Sequence, residues 1–108
     1  MSYRVEFTPE ALDQMAALYQ YISVAASPAI ALRYTEAILS YCESLNRFPH
    51  RGTVRDDVRL GLRVTHYKKR VVIAFAVGDD AVFIIGVFYG GQDYESRLSD
   101  DSEDDMAH

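Results

Sequence analysis

Five arginines, Arg47, Arg51, Arg55, Arg59 and Arg63, recur every fourth residue, and Lys68, Lys69 and Arg70 follow closely. Together they are eight of the chain's eleven bases, and only Asp56 and Asp57 stand among them. Guanidinium and ammonium groups can hold phosphate or carboxylate, but an arginine does not give up its proton at ordinary pH. Such a band suits binding an anionic surface better than moving protons. The plainer reading is a solvated loop and turn. Pro49 and Gly52 interrupt any single helix, so the four-residue spacing is taken as coincidence. Arg63 is the strongest individual candidate. In "LGLRVTHY", alternation sets it opposite Leu60, Leu62 and Val64, so it is expected to project from the open face of a strand.

The other side chains capable of chemistry are sparse. His50, His66 and His108 lack ligand spacing and Cys42 stands alone, so no metal site or cofactor is expected. No nucleophile elbow or phosphate loop is present, because Gly86, Gly90 and Gly91 are not followed by lysine. Asp56-Asp57 and Asp79-Asp80 read as solvated turn residues. Tyr19, Tyr34 and Tyr41 fall on helical stripes and read as core. Tyr67 and Tyr89 stand at strand ends near the basic residues, where a phenol could donate a proton or stack on a base. The competing reading makes them aromatics that close a sheet edge. His66 alternates with Leu62 and Val64 and is expected on the covered face.

The positions of these groups depend on the elements around them. "YRVEF" alternates and reads as a strand. Thr8-Pro9 and Ser27-Pro28 each place a capping hydroxyl before a proline at the first helical position. After Thr8, Leu12, Met15, Tyr19 and Ile22 recur at helical steps. After Ser27 the stripe is Ile30, Tyr34, Ala37, Ile38, Tyr41, Leu45 and Phe48. The short link "VAAS" makes the two helices an antiparallel hairpin. "FPHRGTVRDD" reads as a loop. "LGLRVTHY", "VVIAFAV" and "AVFIIGVFY" read as strands, with "KKR" and Gly78-Asp79-Asp80 as turns. "QDYESRL" has room for one or two helical turns. The expected fold is α+β, in the order β-α-α-β-β-β, with a helical hairpin packed on a small, mainly antiparallel sheet.

Net charge conceals this layout. The chain of 108 residues is formally −5, but its last ten residues, "SDDSEDDMAH", hold five acids and no Lys or Arg. The remainder has eleven acids against eleven bases, while residues 47–70 alone are net +6. The reading is one domain over residues 1–98 and an acidic, solvated tail over 99–108. No apolar run is long enough to cross a membrane. The N-terminus lacks the basic-then-apolar pattern of a signal peptide. With one cysteine, the reducing cytoplasm of a bacterium is the expected compartment.

Several phrases in this order resemble the ParE/RelE superfamily of type II toxin–antitoxin toxins. They are the opening strand with "ALD" entering the first helix, "FPHRG" after the second, "GLR" before the next strand, "YKKRVVIAFAV", and "VFIIGVFYGGQDYESRL". The resemblance spans about residues 3–98. It implies a toxin neutralised by a cognate antitoxin, whose amphipathic arm folds around it. Leu18, Ile22, Ala26 and Leu32, which exceed the needs of one core stripe, are the candidate antitoxin-binding residues.

Two activities are known in the superfamily. RelE-like members cut messenger RNA on the ribosome, and ParE-like members inhibit DNA gyrase. Cutting RNA needs a base and an acid around one phosphodiester. If this chain were a nuclease, Arg63 and Tyr89 would be the catalytic pair, without a convincing base. "YGGQD" puts Gly90, Gly91 and Gln92 where both branches often carry His or Arg. The long paired helices, "GLR" and "QDYESRL" resemble the ParE branch. That branch implies a non-enzymatic gyrase inhibitor with a ParD-like antitoxin. Arg51, Arg55, Arg59, Arg63, Lys68, Lys69 and Arg70 are then the candidate target surface, and direct sequence-specific nucleic-acid binding is not expected. The alternatives are a ribosome-dependent endoribonuclease and a degenerate, non-toxic relative acting only as a binding module.

Overall fold

A computed structural model describes residues 3–90 and 92–99. Strand β1 (Arg4–Phe7) leads into helices α1 (Pro9–Ala25) and α2 (Pro28–Glu43). A 3-10 turn (Ser44–Asn46) follows, then β2 (Thr53–Val54), β3 (Arg63–Tyr67), β4 (Val71–Val77), β5 (Ala81–Tyr89) and α3 (Tyr94–Leu98). The sheet runs β1-β5-β4-β3-β2, with β1 parallel to β5 and the other pairs antiparallel. The helical hairpin covers one face, as the sequence implies. The acidic segment over 100–108 lies outside the described residues.

Both helix starts use the devices legible in the sequence. Thr8 Oγ1 accepts from the Ala11 N–H and Ser27 Oγ from the Ile30 N–H, each at 3.2 Å, and each helix has proline in its first turn. The buried stripes keep Met15, Ile22, Ile38 and Leu45 of those expected and differ at their other positions. On α1 they are Ala11, Met15, Leu18 and Ile22, and Leu12 is exposed. On α2 they are Ala31, Thr35, Ile38 and Cys42, continued by Leu45, while Ile30 and Phe48 are exposed. Small residues, Ala11, Ala31 and Thr35, hold several of the buried positions. Thr35 is accommodated because its hydroxyl donates to the Ala31 carbonyl at 2.9 Å.

The main core lies between hairpin and sheet, where Ile38, Leu45, Ile73, Phe75, Val82 and Ile84 are buried. A smaller cluster of Val58, Leu62, Val64, Ala74 and Phe88 occupies the far face, beneath Tyr94 and Leu98 of α3. This second layer corrects two expectations. Leu60 is not a strand residue. It is 84% exposed at the tip of a turn in which Asp56 accepts from the Gly61 N–H at 2.8 Å. His66 shares the face of Val64, but the five-residue α3 does not reach over it, and it is exposed.

Cys42 is fully buried in the main core, and burial pushes its thiol up to about 12. In the unfolded chain a cysteine titrates near pH ~8.5. The folded state therefore keeps a proton that the unfolded state loses as pH rises from there, and stability should decline above that point. At neutral pH a thiol reagent should leave the native protein unlabelled and react after urea is added. Rapid labelling of the folded chain would contradict the burial of Cys42.

Candidate functional site

The structure divides the basic band instead of gathering it. Arg55 turns inward to bind α3. Its guanidinium donates to Asp57 at 3.0 and 2.9 Å, to the Tyr94 hydroxyl at 2.6 Å, and to Glu95. Its hydrogen bonds to Asp57 and Glu95 raise its own pKa, and Arg55 holds the Asp57 carboxyl below the usual range. Arg55 is thus a tie between the loop and the last helix, already neutralised by two carboxylates.

Arg63 also departs from expectation. Its register partner is Phe75, and the same face carries Thr65, Ile73, Tyr67 and Val71. This is the face packed on the hairpin, so Arg63 does not project from the open one. The alternation was right, but the hairpin covers the polar-looking side of β3. At the margin of that layer the half-buried Arg63 side chain donates to the carbonyls of His50 and Arg51. It secures the loop after α2.

Arg51 then lies over two rings, 5.4 Å from the Tyr41 centroid and 5.3 Å from that of Phe48. Lys68 lies over Tyr67 at 5.8 Å. Arg59 and Lys69 are exposed. Arg70 is separated from Arg51 and lines a different region beside Tyr89.

Arg63 and Tyr89, the candidate nuclease pair, do not meet. Tyr89 is level with Val71 and Tyr67, four residues along β3 from Arg63 and two strands across. Strand geometry puts their Cα atoms about 13 Å apart along the strands and about 10 Å across them. The Tyr89 ring packs instead against Tyr21 and Tyr34, at 6.0 and 5.9 Å. Burial, chiefly, raises the Tyr34 phenol.

Tyr89 lines a groove of about 770 Å³. Its walls are α1, through Glu10, Asp13, Gln14, Ala17, Leu18 and Tyr21, and the segment after β5, through Gly90, Gln92 and Arg97. Val87 and Tyr89 lie between them. The groove exists because β5 outruns its neighbour. β1 pairs with β5 only from Ala81 to Ile84, so the edge from Ile85 to Tyr89 has no strand beside it.

Side chains satisfy that edge. The Thr8 hydroxyl donates to the Ile85 carbonyl at 3.2 Å. Gln14 Oε1 accepts from the Val87 N–H at 2.7 Å, and Gln92 Oε1 from the Tyr89 N–H at 2.9 Å. The two amides stand where the carbonyls of another strand would be. Sequence reasoning overlooked Gln14 and read Gln92 only as a departure from the family pattern. The available signal was the mismatch between a four-residue and a nine-residue strand.

The candidate antitoxin-binding residues also separate. Ile22 is core. Leu18 is nearly buried and forms the inner wall of the groove. Ala26 is exposed at the end of α1, and Leu32 is 51% exposed on α2. The apolar surface actually offered by the hairpin consists of Leu12, Tyr21, Val24, Ile30 and Leu32.

A sequence profile described as the ParE toxin of the type II toxin–antitoxin system parDE matches residues 5–94. The chain belongs to the ParE toxin family. Among solved structures, this ParE-family chain is similar to one from the chromosomal ParDE system of P. aeruginosa, with TM-score 0.73 and 19% identity. That match covers 82% of this chain and 97% of the other. A chain of the RelBE2 toxin–antitoxin complex from Mycobacterium tuberculosis is similar at TM-score 0.59 and 21% identity, covering 82% and 99% of the two chains. At these identities the likeness establishes the shared ParE/RelE fold. No curated protein matches the chain.

Proposed function

We propose that this ParE-family toxin acts by binding rather than by cutting, that DNA gyrase is its target, and that a cognate ParD-like protein neutralises it in the bacterial cytoplasm. The separation of Arg63 from Tyr89 carries the first part. A ribonuclease would need its anion-holding group and its acid around one phosphodiester. Here one side chain holds a loop and the other packs in an aromatic cluster. A gyrase inhibitor requires only a surface complementary to a protein–DNA assembly. Family membership supports that choice, and the same separation weighs against the RNA-cutting alternative.

Two surfaces support an antitoxin partner. The exposed apolar side chains of the hairpin suit the apolar face of an amphipathic helix. The groove beside β5, where side chains alone cap the strand edge and Arg70 and Arg97 stand across from Glu10 and Asp13, suits an extended segment of mixed charge that displaces those caps. Co-expression with the product of the adjacent reading frame tests the pairing. The two proteins should co-purify, and the neighbour should relieve growth arrest caused by the toxin. Failure of both would reject the antitoxin reading.

A further inference from the structure

Once Arg55 and Arg63 are assigned to internal ties, the outward remainder of the basic band has an unusual composition. Arg51 rests on Phe48 and Tyr41, Tyr41 meets Tyr67 with centroids 5.3 Å apart, and Lys68 rests on Tyr67. Cations and rings thus form one continuous strip across the end of α2, the following loop and β3. Among the described residues no carboxylate is within ion-pair distance of Arg47, Arg51 or Lys68. The strip differs in this from Arg55, whose charge is answered twice.

The strip is also held in place. Arg63 fixes the loop through the His50 and Arg51 carbonyls, and the Tyr41 hydroxyl is 3.0 Å from Thr65 Oγ1. Phe48 nevertheless remains 58% exposed, which for a large ring beside two arginines leaves an apolar face open to solvent.

We infer that this strip binds single-stranded nucleic acid, with phosphates on Arg51, Lys68 and Arg47 and a base stacked on Phe48. Unbalanced positive charge attracts the phosphate backbone, and rings placed between the charges supply the π-faces on which unpaired bases stack. A duplex hides its base faces within its own stack and could use only the cations. An acidic protein would have to bring a separate apolar side chain to Phe48, whereas a single strand supplies both a base and its phosphates. The inference is independent of gyrase as target and goes beyond antitoxin binding, for which other surfaces are proposed above.

The test is fluorescence anisotropy with the purified full-length chain and labelled oligothymidylate, oligouridylate and a mixed-sequence duplex, each about a dozen nucleotides long. At least one single strand should bind saturably at low salt and more tightly than the duplex, and binding should weaken as salt is added. A preference between the two single strands would identify DNA or RNA as the source. Phe48→Ala should weaken binding about tenfold, in the range of one lost base stack. Arg51→Gln should weaken it and reduce the salt dependence. Arg4→Gln, at the opposite edge of the sheet, should bind as the parent does. Circular dichroism of each variant confirms the fold. No single-strand binding, equal binding of the duplex, equally effective competition by polyglutamate, or an unaffected Phe48→Ala would each overturn the inference.

Discussion

Ile22→Asp should unfold the protein, whereas Leu32→Asp should leave it folded and weaken only the complex with its antitoxin. Ile22 is 7% exposed in the hairpin–sheet core, and Leu32 is 51% exposed. An unpaired carboxylate at the first site either carries its charge into the core or becomes protonated there, at a cost of several kcal/mol. A domain of this size has about 5–15 kcal/mol of stability in total, and the substitution also removes a buried aliphatic side chain. At the second site the carboxylate remains in water, and the expected cost is within about 0.5 kcal/mol. Circular dichroism and thermal melting separate the two effects, and co-purification reads the complex. A folded Ile22→Asp with parental melting temperature would show that α1 is not seated as described.

Gly52→Ala should destabilise the chain by about 3 kcal/mol, near the upper end for local backbone strain, and much more than Gly61→Ala. Both glycines have φ of +83°, where a side chain costs roughly 1–2 kcal/mol. Only Gly52 is also confined. A Cβ there would lie 2.3 Å from the Val64 carbonyl oxygen, while one at Gly61 meets nothing within 4 Å. Relief would require separating the loop from β3 beside the Thr53–Val64 pairing, and would disturb the seat of Arg51 on Tyr41. Urea unfolding of the two variants measures the difference. Equal losses would contradict the close approach of loop and strand.

Local chemistry was the legible part of this fold. Two Ser/Thr-Pro caps, a short link between periodic segments and two apolar strands were enough for the hairpin-on-sheet architecture. Periodicity located the helices and part of each buried stripe, Met15, Ile22, Ile38 and Leu45, but it favours large apolar residues and passed over the buried Ala11, Ala31 and Thr35. Alternation sorted β3 into two faces without revealing that both are partly covered, one by the hairpin and the other by α3. Arg63 and His66 were misplaced for that reason. The groove was hidden more deeply. It arises from the unequal lengths of β1 and β5, whose pairing joins residues nearly eighty positions apart. Gln14 and Gln92 gain their roles only when that edge is formed.

The central claim, inhibition of gyrase without RNA cleavage, is tested by giving antitoxin-free protein to gyrase with relaxed plasmid and, in parallel, to translating ribosomes. The account predicts blocked supercoiling or trapped, cleaved plasmid, with messenger intact. Codon-dependent messenger cleavage that disappears in Tyr89→Phe, with gyrase unaffected, would contradict it.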